Sequence, residues 1–171
     1  MFTVRCTRKL LRRVESIENP AAPTTVLGDW YANVLYSRPH QLVLCVSERS
    51  LLPVVLHARE AHTLAPRLTL AVGEVLRRIG VPAALIEREQ DEMRAFAYSR
   101  TQNRRVLGQL NDLMFQLSWY LHDRPAEDLF AHSLHLARTP CGAIDGFPDK
   151  LTVELFQAAP ANAEACHQHA P

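Results

Sequence analysis

Apolar positions recur with a period of two in the first third of the chain and with a period of three to four in most of the remainder. The first pattern predicts strands and the second helices. Residues 2 to 7, Phe-Thr-Val-Arg-Cys-Thr, alternate as a short strand does, and Arg8 to Val14 continue as one or two basic helical turns. Pro20 and Pro23 break all periodicity between Glu18 and Thr25, which marks a surface loop. From Gly28 to His57 the pattern is β. Gly28 to Tyr36 is rich in strand formers, Arg38-Pro39-His40 makes a turn, and Leu42-Val-Leu-Cys-Val46 is apolar on both faces. A second turn at Glu48-Arg-Ser50 leads into Pro53-Val-Val-Leu-His57, completing an antiparallel meander of three strands.

Helices follow. Leu64, Leu68, Ala71, Val72, Val75, Leu76 and Ile79 form one buried face, and Gly80 stands where a C-terminal cap belongs. Pro82 suits the first turn of a shorter helix through Leu85, Ile86 and Met93, whose run Glu87-Arg-Glu-Gln-Asp-Glu92 reads as a solvated acidic face. Residues 95 to 99 are a further strand candidate. Glu127 to Arg138 is amphipathic, and Pro148-Asp149 opens a last short helix reaching Phe156. The expected architecture is α+β: a small antiparallel sheet within residues 28–57, the N-terminal strand and residues 95–99 as candidate additions, and helices packed mainly on one face. It forms a single domain over 1–157, followed by a disordered tail, 158–171, with no face to bury.

The stretch from Arg100 to Leu121 is the least ordinary. On a helical projection, Val106, Leu107, Leu113, Met114, Leu117, Tyr120 and Leu121 fall within about 80° of Leu110. Gly108, Phe115 and Trp119 stack on the opposite side, flanked by Asn111 and Asp112. A helix apolar on two sides is usually enclosed, so Asn111 and Asp112 are expected to be desolvated and in need of partners. Arg100, Arg104 and Arg105 precede them as the nearest cations. Asp112 then either locks the core with an arginine or faces a ligand.

Composition narrows the picture modestly. Hydrophobic residues at 47% and charged residues at 22% describe a globular domain, and a net charge of +1 argues against polyanion binding by bulk charge. Arginine supplies all basic residues except Lys9 and Lys150, so arginine positions carry more meaning than arginine counts. Cys6, Cys45, Cys141 and Cys166 lack paired spacing and read as reduced thiols. Charge near the N-terminus falls where a signal peptide would carry its apolar run, and no stretch is long enough to span a membrane. The expected location is the cytoplasm. His132 with His135, and Cys166 with His167 and His169, do not supply convergent zinc ligands, so no metal and no cofactor are expected. Cys141, after Thr139-Pro140, reads as a small residue filling a turn. No phosphate-binding loop, nucleophile elbow or dinucleotide fingerprint occurs.

Gly28-Asp-Trp-Tyr-Ala-Asn33, Leu42-Val-Leu44 through Leu51-Leu52-Pro53, Thr101 with Asn103, Arg105-Val-Leu-Gly108, Asn111-Asp112, and Thr139-Pro-Cys141 with Pro148-Asp149-Lys150 together resemble a family of small bacterial proteins, domain of unknown function 6933. The resemblance covers residues 1 to 157. It implies one domain and carries no activity, substrate, cofactor or catalytic residue to this chain.

Three functional readings follow. In the first, Tyr31, Asn33, Arg100, Arg104, Arg105, Asn111 and Asp112 form one polar cluster of a binding module. An anionic ligand, a nucleic-acid segment or a partner protein would dock there, before a helix N-terminus that favours anions. In the second, an enzyme acts on a nucleotide or RNA, with Asp112 as general acid or base and Arg105 stabilising phosphate charge. In the third, the chain is a homo-oligomer joined through the helix bearing Trp119.

Overall fold

The computed structural model describes residues 1–37, 40–125 and 127–159. Five strands, β1 (Phe2–Cys6), β2 (Trp30–Ser37), β3 (His40–Ser47), β4 (Pro53–His57) and β5 (Phe96–Arg100), form one sheet in the order β4-β3-β2-β1-β5. The expected meander is present as β2-β3-β4, with antiparallel pairing throughout. The sheet as a whole is mixed, which corrects the antiparallel expectation, because β1 runs parallel to both of its neighbours, β2 and β5. Alternation along a strand fixes its faces but not its direction. Direction follows from the connections: residues 7–29 and 58–95 are each long enough to carry the chain back across the sheet, as parallel pairing requires. Of the turn expected at residues 38–40, Arg38 and Pro39 lie outside the described residues, as does the tail from residue 160 onward.

Among the described residues, six α-helices follow the predicted periodicities: α1 (Arg8–Leu11), α2 (Leu64–Arg78), α3 (Ala83–Glu92), α4 (Arg104–Asp123), α5 (Leu129–Ala137) and α6 (Pro148–Ala158). Gly80 ends α2 with a φ of 93°, the left-handed conformation that glycine adopts without a side-chain clash.

The helices cover both faces of the sheet rather than mainly one. Phe2, Val4, Trp30, Ala32, Val43, Cys45 and Val54 pack against Leu68, Val72 and Leu76 of α2 and Ile86 of α3. On the other face, Tyr31, Leu42, Leu44, Val46 and Val55 meet Val106, Leu110, Leu113 and Leu117 of α4. Strand β3 alternates between these two cores, so it is apolar at every position from Leu42 to Val46.

Helix α5 packs beside β4 at one edge of the sheet, and the Ser133 hydroxyl accepts the Val55 N–H at 2.9 Å. An edge amide is thereby satisfied without another strand. Helix α6 is tied to the β3–β4 turn, where the buried Thr152 hydroxyl contacts the Ser50 hydroxyl at 2.8 Å and Ser50 contacts Ser47 at 2.8 Å. No helix among the described residues is long and apolar enough to cross a membrane.

Candidate functional site

The Gly28–Asn33 stretch forms a closed set of contacts. Gly28 adopts a φ of 76°, and a β-carbon there would meet Arg49 Cγ at 3.2 Å, so both conformation and space call for glycine. Asp29 is 2% exposed; its carboxylate accepts the Thr3 N–H at 2.9 Å and pairs with Arg5 through Nε at 2.9 Å and Nη2 at 2.8 Å. This two-pronged contact fixes β1 against the start of β2. Trp30 is buried against α2 and α3, while Tyr31 faces the α4 side. The Tyr31 hydroxyl accepts the Asn103 N–H at 3.1 Å and lies 3.5 Å from Glu48 Oε1. Burial raises the pKa of this phenol. Asn33 accepts the Thr7 hydroxyl at 2.7 Å and its neighbour Val34 N–H at 2.9 Å.

Asn103 is the N-cap of α4. Its side-chain oxygen accepts the N–H groups of Arg105 at 3.0 Å and Val106 at 3.3 Å. The cap occupies two of the amides that an anion at this helix end would use. Arg104 and Arg105 belong to the first turn of α4 rather than to the segment before it, and both are exposed. Arg100 ends β5 opposite Cys6, so it projects from the face of the sheet away from α4.

The inner side of α4 is buried as its periodicity predicts, but its outer side is open. Phe115 is 77% exposed and Trp119 58%; Asn111 and Asp112 are exposed beside them. The expected enclosure of α4 on two sides is therefore corrected, and no ion pair among the described residues involves Asp112. Tyr31 is engaged at the start of α4 and Asn33 with Thr7, Arg100 points elsewhere, and Arg104, Arg105, Asn111 and Asp112 are exposed on one helix. The seven residues thus do not converge on a single polar cluster. A β-carbon on Gly108 would meet nothing within 4 Å, so no contact among the described residues accounts for a glycine there.

A second feature has no precedent in the sequence reading. A cleft of about 380 Å³ lies between α3, α6 and the loop before β2, with Arg49, Arg88, Glu89 and Glu92 among its lining residues. Glu89 is 1% exposed and accepts the N–H groups of Val26 at 2.7 Å and Leu27 at 3.1 Å. Burial raises its pKa, and the two amides offset part of that rise. The acidic run is thus not wholly a solvated face. The signal was present in the spacing, since Glu89 stands three residues after Ile86 and four before Met93, on the same buried side. Both carboxylate oxygens hold the loop at Val26 and Leu27, which makes Glu89 a fastener for that loop.

Cys141 is buried, and its N–H donates to Gly146 O at 2.7 Å across a tight turn. His132 is fully buried with neither ring nitrogen hydrogen-bonded, and burial lowers its pKa. Among the described residues, no three His, Cys, Asp or Glu side chains are grouped to hold a metal ion.

The family model described as Domain of unknown function (DUF6933) matches residues 3–150. No curated protein matches the chain.

Proposed function

The chain belongs to this family of unknown function, and we propose that it is an interaction module that docks a protein partner on the outer face of α4. The observation that carries the reading is the pair Phe115 and Trp119, 77% and 58% exposed on a well-packed helix. Aromatic residues are the side chains that most often anchor protein interfaces, because each removes a large apolar area from water. Asn111 and Asp112 supply a polar rim, and Gly108 leaves room for close approach. Among the partner classes open to a polar module, a protein is favoured over an anion, because Asn103 already takes the Arg105 and Val106 amides. The buried and free Cys6, Cys45 and Cys141 are consistent with a reducing compartment such as the cytoplasm.

Photo-crosslinking in cells tests the reading. A photoreactive residue placed at exposed Ser118 is expected to yield protein adducts, and Phe115→Ser or Trp119→Ser should abolish them without altering the circular dichroism spectrum. Absence of any adduct, or adducts indifferent to both substitutions, would sink the proposal.

A further inference from the structure

The outer face of α4 is complementary to itself, and we infer that its partner is a second copy of this chain, packed helix against helix in an antiparallel two-fold arrangement. The inference rests on the docking reading above and names the partner. Arg104, Gly108, Asn111, Asp112, Phe115 and Trp119 lie within about 50° of one line along the helix, and all are exposed. When two such stripes face each other in opposite directions, the pairs centre on the point between Asn111 and Asp112. Gly108 then stands level with Phe115 of the second copy, Arg104 with Trp119, and Asn111 with Asp112.

Each pairing has a physical basis. A glycine without a β-carbon receives the largest side chain near the centre, as close helix packing needs. A guanidinium meets an indole face, an attractive cation–π geometry. A carboxylate meets an amide donor. Gly108, with nothing among the described residues against it, thereby gains a reason to be glycine. The same symmetry places Asp112 near Asp112 of the second copy, a like-charge contact that opposes the pairing. Because α4 is 20 residues, about 30 Å long, and a standard stable interface buries about 800 Å² per partner, a single-helix contact fits a reversible dimer governed by concentration.

Sedimentation across a concentration series, combined with cysteine cross-linking in a Cys166→Ser background, tests this directly. The unsubstituted chain should rise from monomer toward twice the monomer mass. Phe115→Ser should raise the dissociation constant roughly tenfold or more, whereas Asp112→Asn should lower it. Mild oxidation should join Asn111→Cys chains, whose positions flank the two-fold axis. It should spare Ser118→Cys, whose two copies lie about 20 Å apart, beyond disulfide reach. A chain that stays monomeric at every concentration overturns the inference, as does linking of Ser118→Cys as readily as Asn111→Cys. In either case, Phe115-dependent adducts to a different protein would leave the docking reading standing, and absence of all adducts would remove both.

Discussion

Gly28–Asn33 and Gly108–Trp119 are both short stretches in which glycine, acid, amide and aromatic residues crowd together, and the fold treats them in opposite ways. In the first, every residue named has an internal explanation: Gly28 a left-handed turn against Arg49, Asp29 a pair with Arg5, Trp30 and Tyr31 one core each, and Asn33 the Thr7 hydroxyl. In the second, among the described residues, a β-carbon on Gly108 would meet nothing and Asp112 has no ion-pair partner, while Phe115 and Trp119 lie open. The contrast shows that a crowded motif can be completed within the chain or left for another molecule. Contacts within the fold distinguish the two outcomes.

Substitutions sharpen this contrast, beginning with the largest effect. Asp29→Ala should cost about 3–5 kcal/mol, since it strands the largely buried Arg5 guanidinium beside β2. Denaturant unfolding would register it as a lower midpoint, and a loss under 1 kcal/mol would mean that solvent compensates Arg5. Gly108→Ala should act in the opposite direction, stabilising the isolated chain by about 1 kcal/mol because alanine is the better helix former and its methyl group meets nothing. The same substitution should weaken association through α4. A glycine that yields stability when replaced and function when kept would set this stretch apart from Gly28, where alanine should destabilise. Asp112→Ala should change unfolding stability by no more than about 0.5 kcal/mol, the range of an exposed surface position. A loss of several kcal/mol there would place Asp112 in the same class as Asp29.

Much of the fold was legible in the sequence. The strands, the inner face of α4 and the double-sided burial of β3 followed from periodicity, because burial of one face or two imposes a distinct spacing. The parallel pairing of β1 was not legible, since Phe2 to Cys6 alternate equally well in a parallel or an antiparallel partnership. The site was less legible than the fold. Hydropathy marked Phe115 and Trp119 as a surface to be covered, but covering by the chain's own core and covering by a partner demand the same residues. Asn103 and Glu89 were missed as fasteners for a different reason. Each serves backbone amides, so that spacing can mark Glu89 as buried but cannot show which amides it holds.

The position of β1 bears on how the molecule assembles. Its register with β5 joins Phe2 to Phe96, while β2, β3 and β4 follow one another closely in sequence. Contacts that close long loops form slowly, because chain entropy must be lost before pairing rewards it. During synthesis the meander and the β1–β2 pair can form once residue 57 has emerged, but the other side of β1 must wait for β5 and for the α2–α3 segment before it. Until then, the side of β1 that β5 covers remains unpaired. The expected folding order therefore runs from residues 30–57 outward, with the first strand of the sequence among the last to be locked in place.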